Sequence, residues 1–491
     1  MASCSKDQGN YDYTEVNKLV VVDTAGEPIN RQEFEVAEGE DLTIEVQAKG
    51  TLPNFDPATV KYVWAVDKDT LGVGSKVTLK ASQFVAGSNN VKLYATDPTT
   101  NLEYLNVFSV FVSKTVSKGF FVLTKDNDLN SILYIKSSRK PNSNWFRLTS
   151  LGKENPHALG KNPVAIDLKS RYRVYDGFTV VTKDGANPIM TVDLPSMEPY
   201  AIVNGTGTSV SGGDLHPTFF KMGYSAINGT GFILDNGRVR RVSEGYLWPE
   251  AIKGVAKYDF GKNGICYDDF NANGNAGRFL MGYDKISKRI LFFESARQRF
   301  NFDQISENLS TEPLGDMEVV GAGPDAFGTT GGLIYGIILR KGDVVYNYST
   351  SGNFNADRKF EFTKLKENAK ASIPGIEKAV SFNYDKWTRM YYYAIGRTLY
   401  RFPFFSVSPV PFFTLPEDGT GNIVSWSFDR DESGGHKHVG IATFNPSAKE
   451  DKKGSFYHYS IKPDGSGNPI TLVSKSLYQI DEAVSIALGV E

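Results

Sequence analysis

Between Lys18 and Ser113 the apolar residues come in short bursts with every second position hydrophobic, the period of a half-buried strand and not of a helix. Leu19-Val20-Val21-Val22 is the first burst, followed by Phe34-Glu35-Val36 and, past Gly39, by Leu42-Thr43-Ile44-Glu45-Val46. Tyr62-Val63-Trp64-Ala65-Val66, Val77-Thr78-Leu79, Val91 to Thr96 and Tyr104 to Val112 continue the series. Seven or so short strands with turn signals between them, in roughly 100 residues, predict an immunoglobulin-like β-sandwich. Asp97-Pro98-Thr99-Thr100-Asn101 is its last hairpin turn, and Trp64 on a central strand is expected in the core and not against a ligand.

After Ser117 the pattern starts to recur, and a recurring pattern decides an architecture better than any single strand. Gly119-Phe120-Phe121-Val122-Leu123-Thr124-Lys125-Asp126 returns 58 positions later as Gly177-Phe178-Thr179-Val180-Val181-Thr182-Lys183-Asp184, and each copy is followed by a second apolar run, Ile132 to Ile135 and Ile189 to Val192. Weaker copies are Tyr224 to Ile233 with Val239 to Val242, Phe279 to Tyr283 with Ile290 to Phe293, and Leu333 to Leu339 with Val344 to Tyr346. Ser381 to Tyr384 with Met390 to Tyr393 and Leu399 to Arg401, then Val439 to Ala442 with Phe456 to Tyr459, complete seven candidate units of about 54 residues each. Blades of four antiparallel strands set radially protect their edges, so so many strands can share one soluble chain. The expected architecture is all-β: a tether over 1–14, a sandwich over 15–115 and a β-propeller over 116–491, seven-bladed with six or eight as alternatives. Two further sandwiches in place of the ring would leave the echo unexplained.

Composition agrees with many strands joined by glycine turns: 47 Gly, 25 Tyr and 32 Phe stand against only 7 Met and 2 Cys. The charge is nearly balanced, 54 Lys+Arg against 56 Asp+Glu, so no basic field awaits a phosphate backbone and nucleic acid is not an expected partner. No run of eighteen apolar residues occurs, which leaves no sequence signal for a spanning helix. The start, Met1-Ala2-Ser3-Cys4-Ser5-Lys6-Asp7, has a cysteine behind two small residues, as a bacterial lipoprotein signal leaves at its cleavage site, without the charged and apolar regions that precede one. Cys4 is therefore the expected lipidation site, with the polar residues Ser5 to Asn10 as a leash. Cys4 and Cys266 do not make a disulfide framework.

The polar head Lys6 to Tyr13, the Tyr62-Val63-Trp64 and Leu93-Tyr94-Ala95-Thr96-Asp97 strands, and Ser117-Lys118-Gly119-Phe120-Phe121-Val122-Leu123 resemble the PKD-like lipoproteins of Bacteroidota. Ser5-Lys6-Asp7 also resembles the short signal that sends such lipoproteins to the outer leaflet. Phe120 and Phe121 stand where that family often has Trp and Leu. The resemblance implies a PKD-like module ahead of a long β-rich region, placement on the outer membrane at the cell surface, and neighbourhood to a SusC/SusD-type importer. It specifies no chemistry.

Catalytic signals are few. His436 and His438 flank Lys437 at a spacing that, on a strand, points both one way, but no cysteine or third histidine is near, so a solvated turn is expected and not a metal site. Asp269 to Gly274 opens like a calcium loop, yet Leu280 holds the place of the bidentate glutamate. Cys266 lies in an apolar setting, and Asp268-Asp269 and Asp429-Arg430-Asp431-Glu432 are acidic clusters expected in solvated loops. The glycine runs Gly321-Ala322-Gly323 and Gly331-Gly332 lack the lysine and helix of a phosphate cradle. Aromatics at turns are the better signal: Trp145, Tyr246, Trp248 and Trp387, with Arg171-Tyr172-Arg173 as a possible carboxylate grip, are the candidate ligand-binding residues. The expected function is a non-catalytic surface lipoprotein, without cofactor or metal, that binds glycan or oligopeptide for a SusC/SusD-type TonB-dependent importer. A propeller-type glycan-degrading enzyme and a structural scaffold of the importer complex are the alternatives.

Overall fold

Alternation along Asp41–Lys49 sends Ile44, Val46 and Ala48 to a buried face and leaves Thr43, Glu45 and Gln47 outside. In the computed structural model, which describes residues 16–37, 41–84, 87–113, 118–138, 144–152, 155–171, 174–194, 196–203, 215–222, 230–235, 238–243, 246–247, 259–260, 266–268, 278–295, 304–306, 313–325, 333–354, 360–362, 365–385, 388–429, 436–461 and 470–489, that strand is the middle of a three-stranded sheet with Val20–Asp23 and Lys76–Lys80. A five-stranded sheet runs Glu33–Ala37, Leu102–Ser113, Gly87–Asp97, Lys61–Val66, Asp69–Val73, its first pair parallel and the rest antiparallel. The two sheets share one core, in which Val21, Ile44 and Leu79 meet Trp64, Leu93 and Val110. Trp64 is fully buried, edge-on to Phe108, and its indole Nε1 donates to the Gly74 carbonyl at 2.8 Å, which satisfies the one polar atom such a ring brings inside. Tyr62 accepts the Ala48 N–H at 2.9 Å and so ties one sheet to the other. The hairpin after Gly87–Asp97 turns on the Asp97 carboxylate, which takes the Thr99 N–H at 2.9 Å and the Asn17 side chain at 3.1 Å. Asp69–Val73 escapes the sequence pattern because it is an edge strand whose outer residues are exposed, leaving no alternation to see.

The chain divides into two compact units, residues 1–115 and 116–491. Among the described residues the second unit holds seven sheets of four or five antiparallel strands. Sheet two is Lys161–Arg171, Val174–Asp184, Ile189–Asp193 and Pro199–Val203, and sheet three is Pro217–Met222, Thr230–Asp235, Arg238–Ser243 and Tyr246–Leu247. Sheet four is Cys266–Asp268, Arg278–Asp284, Arg289–Ser295 and Gln304–Ser306. Sheet five is Glu318–Asp325, Leu333–Lys341, Val344–Phe354 and Phe360–Phe362, with Lys366–Ser372 also on its third strand. Sheet six is Val380–Asp385, Met390–Ile395, Thr398–Pro403 and Val410–Thr414, and sheet seven is Asn422–Phe428, His438–Phe444, Gly454–Ser460 and Thr471–Ile480.

Sheet one differs from these six in connectivity. Its order is Phe146–Leu148, Ser131–Ser137, Gly119–Lys125, Glu482–Gly489, so the strand nearest the chain's end supplies the innermost position. Leu488 stands opposite Phe120 and Ala487 opposite Phe121 in that pairing. The inner strands of neighbouring sheets touch in sequence: Glu482–Gly489 meets Lys161–Arg171, which meets Pro217–Met222, while Glu318–Asp325, Val380–Asp385 and Asn422–Phe428 lead back to Glu482–Gly489. This is a β-propeller closed by its own last strand, which leaves no free inner edge at that junction.

Packing between sheets explains why strands such as Gly119–Lys125 read as continuous apolar runs. Both faces are covered, Phe121 and Leu123 toward sheet two and Phe120 and Val122 toward sheet seven, each worth about 1.5–3 kcal/mol on burial. Gly321 and Gly323 serve close packing. A Cβ at Gly321 would lie 2.4 Å from Phe382, and one at Gly323 would lie 2.2 Å from Tyr384, so the first strand of sheet five is bare where the rings of sheet six press on it.

Candidate functional site

The repeated Thr-Lys-Asp ends at turn carboxylates. Between the second and third strands of its sheet, Asp126 accepts the N–H groups of Asp128 and Asn130 at 2.9 and 2.8 Å. Asp284 does the same for Ser287 at 2.8 Å and also takes the Asp259 N–H at 2.7 Å. Asp184 accepts from the Asn162 amide at 2.7 Å and lies 3.2 Å from His216 Nδ1. These carboxylates fasten turns and neighbouring strands, as Asx turns do.

The opposite strand ends hold a denser polar group where sheets six, seven and one meet. His436 Nε2 lies 3.2 Å from Asp385 Oδ1, and its Nδ1 is 2.6 Å from the Asp429 carbonyl oxygen. The ring stacks on Phe428 with centroids 4.5 Å apart. Asp385 is in turn held by the Thr388 N–H at 3.1 Å, and Asp429 Oδ1 accepts the N–H groups of Lys437 and His438, both at 3.0 Å. The expected solvated turn is corrected here: His436 and Asp429 are enclosed, because the imidazole bridges two sheets through Asp385 and Asp429 instead of facing water. Burial alone would pull the His436 pKa down, but the hydrogen bond and charge of Asp385, with Asp429 behind it, carry it above the usual value.

His438 points to a different partner. Its Nδ1 is 3.0 Å from Nε2 of His458, a residue only 3% exposed on the third strand of sheet seven, whose ring lies 4.6 Å from that of Phe120 in sheet one. Burial first, then the neighbouring imidazole, pushes His458 down to about 4, and burial lowers His438 as well. The pair is therefore neutral near pH 7 and holds one hydrogen between two nitrogens. His458 Nδ1 has no hydrogen-bond partner among the described residues.

Beside it Lys136 is buried to 3% exposure, with its Nζ donating to Ser476 Oγ at 2.9 Å and lying 5.5 Å from the centre of the Trp145 ring. Burial lowers its pKa. Trp145, expected as an exposed loop aromatic, is half-buried instead. It stands edge-on to Phe456 of sheet seven and Tyr134 of sheet one, so the ring lies across the seam between these sheets. Arg397 pairs with Asp418 at 2.8 Å at the other end of sheets six and seven, and Asp418 also accepts from the Tyr457 hydroxyl at 2.5 Å.

Of the remaining candidate residues, Arg171 ends the first strand of sheet two and Tyr246 begins the last of sheet three, in both cases as backbone only. Cys4, Tyr172, Arg173, Trp248, Trp387, Asp269 and Asp431 lie outside the described residues. Cys266 and Asp268 fall on the short inner strand Cys266–Asp268. Sequence reasoning missed Lys136, Asp385 and His458. Lys136 did leave a signal, since it extends the Ile132, Tyr134 face of a strand buried on both sides. The first unit has its own concavity, a groove of about 720 Å³ lined by Gln47, Pro57, Lys61, Tyr62, Val63 and Val73 among others. No group of three His, Cys, Asp or Glu side chains suited to a metal occurs among the described residues.

Residues 4–163 match the PKD-like family. The PKD-like match takes in the whole sandwich and continues through the outer three strands of sheet one into the first strand of sheet two. No curated protein matches the sequence. Among solved structures, a quinonprotein alcohol dehydrogenase-like protein from Bacteroides thetaiotaomicron is similar at 11% identity, over 96% of this chain and 99% of that one, with a TM-score of 0.39. The periplasmic gluconolactonase of Pseudomonas aeruginosa is similar at 11% identity over 76% and 99%, with a TM-score of 0.44. PorZ, a bacterial surface component of the type-IX secretion system of Porphyromonas gingivalis, is similar at 10% identity over 90% and 63%, with a TM-score of 0.35.

Proposed function

We propose that this chain is a lipid-anchored protein of the outer-membrane surface, with a seven-bladed propeller, that holds glycan or oligopeptide for a SusC/SusD-type importer and does not itself transform it. The observation that carries the reading is the PKD-like match, which opens at Cys4 and joins the head, the sandwich and the start of the ring in one family unit. A propeller supports a binding role in general terms, because its connections gather at two ends of a rigid ring. In this reading Cys4 carries the lipid, and Trp145, Arg171, Tyr172, Tyr246, Trp248 and Trp387 contact the ligand.

The test is attachment and company together. The precursor labels with a fatty-acid analogue, Cys4→Ala abolishes the label, and protease added to intact cells removes the protein. Mild solubilisation of native outer membrane recovers it with a transporter. Protection from protease in intact cells, or recovery with no transporter, overturns the reading.

A further inference from the structure

Ring closure rests on one seam, and that seam has a titratable centre. The pairing of Glu482–Gly489 with Gly119–Lys125 ties the last strand to the first sheet, and the apolar cluster behind it joins Phe120, Val122, Ile486 and Leu488 to Ala442 and Phe456 of sheet seven. His458 sits in this packing with its ring on Phe120, and its Nε2 is 3.0 Å from His438 Nδ1. Two neutral imidazoles satisfy this contact with a single hydrogen. When both are protonated the two nitrogens carry hydrogens that face each other, and the bond is lost.

We propose that the His438–His458 pair makes the closing seam acid-sensitive, so that protonation loosens sheet seven from sheet one while the other seams hold. The surroundings do not neutralise the added charge at His458. On its own sheet, Asp429 is engaged by the Lys437 and His438 N–H groups and by His436, and Lys437 is a further cation. From sheet six, Asp385 is engaged by His436. On sheet one Lys136, opposite Phe120 in register and buried, is a further cation. Released from the seam, His458 regains an ordinary affinity for protons, so acid favours the open form between its ordinary value and about 4.

Hydrogen exchange of the whole chain at about pH 7.5 and about pH 5, corrected for intrinsic rates, tests this. Amides of Gly119–Lys125 and Glu482–Gly489 are expected to lose protection at least about tenfold at the lower pH, while Leu333–Lys341 and Met390–Ile395 keep theirs. His458→Phe, which keeps a ring against Phe120, removes the effect, and His436→Gln does not. If His458→Phe fails to fold, His438→Gln, which leaves one titrating imidazole and no facing pair, is read in its place and is expected to weaken the effect. Equal protection at both pH values, uniform loss across all sheets, or an unchanged acid response in the variant that folds overturns the proposal.

Discussion

His436, just ahead of the second strand of sheet seven, and His458, on the third, respond to acid in opposite senses. His436 has its pKa raised by Asp385 and Asp429, so its stabilising effect is complete below its ordinary value and disappears as pH rises through the raised one. His436→Gln is therefore expected to cost most near pH 6 and below and little in alkali, which urea unfolding of both proteins across pH would measure. A cost that grows with pH would reverse the assignment. Lys136 poses another residue-scale question, since its ammonium is enclosed with one hydroxyl and one indole face. A buried charge without a carboxylate costs more desolvation than a single neutral hydrogen bond returns. Lys136→Met alone strands the Ser476 hydroxyl, so the double change with Ser476→Ala is expected to match or exceed the parent by about 1 kcal/mol in urea midpoint analysis. A loss of more than about 2 kcal/mol would mean that the charge has an attractive partner.

Legibility varied with an element's place in its sheet. The recognised repeats, Gly119 to Asp126 and Gly177 to Asp184, are the strands next to the innermost position, covered on both sides and hence densely apolar. Outer strands such as Phe146–Leu148 are short and largely exposed, and the inner strand of sheet five carries Gly321 and Gly323 where side chains would clash, so neither showed a pattern. The polar seam was less visible, because His436, His438 and His458 acquire opposite environments through partners that lie up to some 340 residues away, as Lys136 and Ser476 do. Spacing along a strand gives direction but not what waits across a sheet boundary. The closing strand provides the element-scale prediction. Removing residues 482–491 uncovers the edge of Gly119–Lys125 and the apolar contacts of Ala483, Ile486, Ala487 and Leu488, a loss of roughly 5 kcal/mol or more. The truncated protein should melt earlier or aggregate through its open edge, and a peptide of that segment added in trans should restore part of the loss. An unchanged melting temperature would show that the ring does not depend on this closure.

At the scale of the whole chain, the PKD-like match ends inside the second unit, at residue 163, although the first unit ends at residue 115. A family boundary and a folding boundary therefore differ, and core closure decides the second. Every residue of the sandwich core, from Leu19 to Val112, belongs to the first unit, and Trp64 has both its ring and its indole N–H satisfied there. The fragment 16–115 should accordingly fold alone, although small domains have thin margins. Trp64 is the only tryptophan of that fragment, so its fluorescence reports the core without interference. A single cooperative urea transition with blue-shifted emission at the start is expected, at a midpoint close to that of one transition of the full chain. Red-shifted emission without a transition would mean that the sandwich needs the ring, and the unit of folding would then extend toward residue 163, where the family match ends.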